Sequence, residues 1–164
     1  MQVAPAQRDA GDELVFSPRQ FNTFEEGELV VAIPEGWIAP DPNFPMTFVP
    51  PNAEGFVAQF NVGTSCGGTC GPRGEAEWIA RIEEFEFAQF RDADNFTIQR
   101  ESEGTQSRVL VAENSFGNVS LFFARWIEDA PKYFYCRFIT SEPESYDLDQ
   151  FEEACDAAGL FGLN

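Results

Sequence analysis

Histidine is absent from this 164-residue chain. That absence removes the commonest general acid–base group and the commonest neutral metal ligand. It also excludes any Ser-His-Asp or Cys-His arrangement built from this chain alone. Lysine is almost missing too, since only Lys132 among the 10 basic residues is a lysine. Against those 10 stand 28 acidic residues, a net charge of −18 and a pI near 4.1. A surface this negative repels phosphate backbones and anionic lipid, which argues against nucleic acid and membrane surfaces as partners. No apolar run approaches the roughly 18 residues of a membrane span, so no membrane insertion is expected. The chain has no G-x-G-x-x-G after a strand, no Walker loop and no G-x-S-x-G, and no cofactor is expected.

What is present describes a folded domain. Hydrophobic residues make up 43% of the chain, with 18 phenylalanines among them. A chain of this length buries roughly 70% of its unfolded surface and needs no staple to hold a core. The expected organisation is a flexible segment over residues 1–12 followed by a single α+β domain over 13–164. Residues Met1 to Asp12 lack an apolar h-region and are not a signal peptide as they stand. They read as the start of a mature exported chain carrying an initiator Met. The acidity has two readings: solubility in a salty environment, or attraction to a basic protein or to cations.

The cysteines are Cys66, Cys70, Cys136 and Cys155. Cys66 and Cys70 flank Gly-Gly-Thr, a stretch able to make the tight turn of a short bridge. In the strand candidate Tyr133 to Thr140, alternation puts Phe134, Cys136 and Phe138 on one apolar face. In the helix candidate Leu148 to Ala158, Leu148, Phe151, Cys155 and Ala158 fall on one side. A core-facing strand cysteine and a core-facing helix cysteine can meet, which predicts Cys66–Cys70 and Cys136–Cys155 bridges. Two bridges in turn predict an oxidising, periplasmic or secreted location. The competing reading is metal, but zinc sites show paired short spacings and only Cys66/Cys70 has one. Cys66-x-x-x-Cys70-x-Pro72 resembles the copper loop of Sco-type chaperones. That family adds a histidine ligand and a thioredoxin-like fold, and this chain offers neither.

Along the chain, Glu28 to Ile33 reads as a strand closed by Pro34-Glu35-Gly36-Trp37, a turn that restarts the apolar sequence at Trp37. Before it, Leu14 to Phe16 and Phe21 to Phe24 suggest a short hairpin-like arm. Met46 to Val49 and Gly55 to Val62 read as strands. Glu75 to Arg91 reads as a helix with Trp78, Ile79, Ile82, Phe85 and Phe90 on its apolar side. Four strand candidates follow at meander spacing: Phe96 to Arg100, Ser107 to Glu113, Val119 to Ile127 and Tyr133 to Thr140. The last helix starts near Asp147, with a capping-box-like Gln150, and ends at Gly159 as its C′ residue. Val119 to Ile127 is apolar on both faces and wants cover on both. The fold class is therefore α+β, an antiparallel sheet flanked by two main helices in the order β-β-β-α-β-β-β-β-α.

That element order, with the Pro34-x-Gly36-Trp37 turn after an early strand, resembles the Mog1/PsbP-like fold. The resemblance spans most of Glu28 to Ala158 and implies a mostly non-enzymatic group of accessory and binding proteins. Some toxin-immunity proteins share similar folds. No family binding residue carries over, because only the turn motif matches.

Carboxylates are the remaining catalytic groups. Asp92-x-Asp94-Asn95 begins like a calcium loop but fails at Phe96 and Thr97, and it reads as a helix-ending turn. The proline-rich loop from Asp41 to Pro51 is the candidate interface, with Phe44, Met46 and Phe48 at its apolar centre beside Asp41. The expected function is a non-enzymatic exported acidic protein that binds a basic protein partner, of accessory or immunity type. A small-molecule or cation carrier with a pocket between sheet and helix is the alternative. A carboxylate-only hydrolase is third.

Overall fold

The structure, a computed structural model, describes residues 14–22, 28–127 and 130–161, of which 160 and 161 by backbone alone. The expected flexible segment 1–12 and the end of the arm at Phe24 lie outside the described residues.

The expected meander forms from β5 (Phe96–Glu103), β6 (Ser107–Asn114), β7 (Val119–Trp126) and β8 (Tyr133–Thr140). With β3 (Thr47–Phe48) and β4 (Ala58–Ser65) these strands build a six-stranded antiparallel sheet in the order β3-β4-β8-β7-β6-β5. A second antiparallel sheet, in the order β1-β2-β9, comprises β1 (Phe16–Asn22), β2 (Glu28–Pro34) and β9 (Gly159–Phe161). The arm expected to break between Phe16 and Phe21 is one continuous strand, because β2 pairs with it along its whole length.

The period-2 alternation of β7 divides the core as its sequence requires. Val119, Leu121 and Phe123 enter one apolar cluster with Val109, Phe134, Cys136 and Phe138. The small sheet, Trp37 and the last helix close that side. Phe122, Ala124 and Trp126 enter the other cluster with Leu110, Ala112 and Tyr133, beneath the first helical run. Trp37, seated after the Gly36 turn at φ 84°, packs on Phe138 and Phe151.

The first helical run departs from strict α geometry. It consists of α1 (Glu75–Ile82), a π-helical turn (Glu83–Phe87) and α2 (Ala88–Arg91). At about 100° per residue, Phe90 would lie about 120° from Trp78; one residue absorbed by the wider turn brings it to about 20°. Phe87 and Phe90 are accordingly buried with Trp78 and Ile82, while Phe85, expected on the apolar side, is 49% exposed. Phe85 leans instead on the Cys66–Cys70 loop, where a Cβ at Gly68 would meet its ring at 3.3 Å.

The π turn also places Glu86 between helix and sheet, where it accepts a hydrogen bond from the Tyr133 hydroxyl. Burial pushes the Glu86 carboxyl above the ordinary glutamate range, against smaller lowering effects from Tyr133 and the Arg137 charge. The folded state therefore holds this proton more tightly than the unfolded chain. Its stabilising contribution is fullest at low pH and is lost as pH rises from the ordinary glutamate range through the raised folded value. Glu86→Gln is expected to remove that decline. Urea midpoints of both proteins between about pH 4 and about pH 8 test it, and parallel curves would contradict it.

Candidate functional site

The last helix, α3 (Leu148–Asp156), begins at Asp147, whose side chain accepts from the Asp149 amide at 3.0 Å. The expected capping box does not form. Gln150 turns to Leu14 instead, accepting from its amide at 3.4 Å and donating to its carbonyl at 3.2 Å. The helix also stops short of Gly159, which opens β9 opposite Val30. Its C-terminal carbonyls are taken up by Arg125 of β7, which donates to Asp156 O at 2.5 Å and to Ala158 O. Burial lowers the Arg125 guanidinium from its usual range, partly offset by the Asp156 charge.

The inner side of α3 buries Phe151, Ala154 and Cys155. Its outer side then carries Asp149, Glu152, Glu153 and Asp156, spaced i, i+3, i+4, i+7 along one stripe. The stripe forms one wall of an open groove of about 290 Å³. Ser102, Glu103, Gly104 and Ser107, from the β5–β6 hairpin end, form the other wall, over a floor of Val109 and Phe123.

A β-bulge builds that second wall. The β5–β6 register shifts between Ile98 and Arg100, so Arg100 opposes Val111 and Glu101 opposes Leu110. Unshifted pairing would put each on the reverse face. The bulge thus aims Arg100 at α3, where it meets Glu152 at 2.7 Å, and sends Glu101 to Arg91 on the opposite face. Arg91 holds the Glu101 carboxyl below the ordinary glutamate range. Of the groove's five carboxylates, Glu152 pairs with Arg100 and Glu103 sits 3.8 Å from Arg108. Asp149, Glu153 and Asp156 have no ion pair among the described residues. Also among the described residues, no three acidic or cysteine side chains converge closely enough to hold a metal ion.

Both expected disulfides are present, Cys66–Cys70 with Cα atoms 4.8 Å apart and Cys136–Cys155 with Cα atoms 6.0 Å apart. No cysteine remains as a thiolate ligand for zinc or copper. Such bonds persist in an oxidising compartment, which points to an extracytoplasmic protein. Cys136–Cys155 fastens α3 to β8 and so fixes the groove's acidic wall. Cys66–Cys70 shapes a surface loop held to α1 by Arg81, which donates to the Gly67 carbonyl.

The proline-rich loop is divided rather than brought together as an interface. Phe44 is 61% exposed and Asp41 is exposed, its carboxylate accepting from the Asn43 amide at 2.9 Å. Met46 is half-buried against the core. Phe48, expected on the interface, is only 1% exposed. Pairing of β3 with β4 turns it inward, against Phe21 at 5.8 Å and under the Arg19 guanidinium. The calcium-like segment is a turn, with Asp92 as the C-cap residue of α2. Between the first helical run and the β5–β6 pair, the region expected to hold a carrier pocket, there is a hollow of about 190 Å³ on Ile79, Ile82 and Phe87.

The groove residues went unnoticed in the sequence, although the α3 stripe could have been found there. The same 3.6-residue periodicity that assigns Phe151 and Cys155 to the core assigns Asp149, Glu152, Glu153 and Asp156 to one outer face.

No family profile matches the chain, and no curated protein sequence matches it. Among solved structures it is similar to LpqN of Mycobacterium tuberculosis, a protein described as involved in cell envelope biogenesis. The TM-score is 0.58 at 11% identity, over 92% of each chain. At that identity the likeness is one of fold: this α+β arrangement is shared with LpqN.

Proposed function

We propose that this is an exported, periplasmic or secreted binding protein without enzymatic activity, which works by contact between its acidic groove and a basic protein. The observation that carries the reading is the carboxylate stripe on α3. Like charges at i,i+3 and i,i+4 each cost a helix about 0.2–0.5 kcal/mol, and Asp156 opposes the dipole at the C-terminal end. Features that oppose local stability collect at functional sites. We read the fold as Mog1/PsbP-like, in keeping with a role of accessory or immunity type. The two disulfides and the envelope-related description of LpqN support the export assignment. The alternative of a small-molecule carrier has the 190 Å³ hollow in its favour, though ligand pockets run to about 300 Å³ or more.

The test compares the wild type with D149N/E152Q/E153Q/D156N in partner capture from extracts of the protein's own compartment, across a salt series. Retention should fall steeply with salt for the wild type and be lost at all salt levels for the variant. Equal capture by both proteins would remove the groove as the contact surface.

A further inference from the structure

We infer that the side of the large sheet away from the acidic groove carries a separate binding site, in which Arg137 holds the carboxylate of a small monocarboxylic acid. Alternation puts Arg137 on the same face of β8 as Tyr133 and Tyr135. Register sets it between Phe122 of β7 and Asn61 of β4. The apolar cluster on that face draws on the first helical run and on β6, β7 and β8, and on no residue of β4. The strip that β4 adds beside it is Gln59, Asn61, Gly63 and Ser65, polar or without a side chain. Arg137 therefore stands where the covered core gives way to an open polar shelf, half-buried together with Asn61 and Gln59.

What marks Arg137 is its lack of partners. The other described arginines each donate to a backbone carbonyl or reach a carboxylate. Arg137 joins no ion pair among the described residues, and its buried Nε has no hydrogen-bond partner there. It lies over the Phe90 ring at 5.9 Å, a contact that uses none of its N–H donors. Glu86, on the π turn, takes its hydrogen bond from Tyr133 instead, and burial favours its neutral form. The guanidinium charge is left without a fixed counter-ion, and its planar fork fits a carboxylate in bidentate contact.

The surroundings set the class of ligand. With −18 on the whole chain and a single unpaired cation here, a dianion is repelled more strongly than a monoanion. Asn61 is held in place, accepting from Gln59 Nε2 at 2.7 Å and donating to Thr47 Oγ1 at 3.0 Å. Its amide has a second hydrogen to offer beside the guanidinium. Tyr135 and Ile139 flank Arg137 on the same face, half-buried, and give apolar surface to a small organic body. The Tyr135 ring is fixed there, stacked on Phe122 at 5.9 Å and lying across Gly63, where a Cβ would come 2.8 Å from its hydroxyl.

The experiment titrates the full chain at low salt with benzoate, its neutral analogue benzamide and inorganic phosphate, following backbone amide NMR shifts. Benzoate should shift amides within residues 59–63, 86–90 and 135–139, benzamide should shift none of them, and phosphate should bind several-fold more weakly. Arg137→Met keeps the apolar stem and should weaken benzoate binding by roughly tenfold or more. Because it removes an unpaired, partly buried charge, its urea midpoint should equal or exceed that of the wild type. Glu86→Gln should bind benzoate at least as tightly as the wild type. No shifts with benzoate, equal shifts from benzamide, phosphate binding as tight as benzoate, or shifts unchanged in Arg137→Met would each overturn the inference. A lowered midpoint in Arg137→Met would do so too, by showing that the guanidinium is already satisfied within the fold, as would weaker binding by Glu86→Gln. The contact proposed for the acidic groove is read separately, by salt-dependent capture, and stands or falls independently of this site.

Discussion

Phe151→Ala is expected to lower the unfolding free energy by about 3–5 kcal/mol. Phe151 is fully buried and stands where the elements on one side of the large sheet meet. Its ring stacks on Phe138 at 3.7 Å and makes edge contacts with Phe60 at 5.1 Å and Phe16 at 5.2 Å. It also meets Trp37 at 5.9 Å and Tyr146 at 6.4 Å. The substitution loses the transfer free energy of the ring and leaves a cavity whose walls belong to β1, β4, β8 and α3. These walls cannot all move inward at once, so the cavity term stays large. Against a typical total of about 5–15 kcal/mol the loss is severe. Urea unfolding followed by tryptophan fluorescence measures it, and a loss below about 1 kcal/mol would contradict the packing described. Because Phe151 and the acidic stripe occupy opposite sides of α3, the variant should also weaken groove binding without altering any groove residue.

Removing the Cys136–Cys155 bridge as C136A/C155A is expected to cost about 3 kcal/mol, mainly by releasing the unfolded chain from a closed loop. The bridge spans 19 positions, whereas Cys66–Cys70 spans 4. The same loop relation puts C66A/C70A nearer to about 2 kcal/mol. The functional contrast should be sharper than the energetic one. Loss of the first bridge frees α3 from β8, and groove binding should drop. Loss of the second disturbs a loop packed on α1, across the large sheet from the groove, and binding should persist. Urea titrations and partner capture with the two double variants decide this. Equal effects on binding would mean that the bridge does not position the site.

The contrast between these bridges bears on how much was legible beforehand. Both pairings followed from local chemistry: glycines between Cys66 and Cys70, and core-facing positions for Cys136 and Cys155 on a strand and a helix. Strand identity in β2, β4 and β6 to β8 followed from alternation, and the burial of β7 on both faces followed from its lack of a polar side. Phe48 shows the limit of composition, since its loop reads as projecting and proline-stiffened, yet pairing of β3 with β4 draws it into the core.

By itself, then, the sequence determined the class of fold, the two faces of β7, the disulfides and the acidity, because each follows from composition or from the local pattern of the segments involved. Only the tertiary structure decided the π turn that exchanges Phe85 for Phe87, the bulge that turns Arg100 toward α3, and the entry of Gly159 into a strand. It also decided that the α3 stripe and the β5–β6 hairpin end face each other across a groove. Each of these depends on a partner distant in sequence, whose packing energy outweighs a local preference of about one kcal/mol or less.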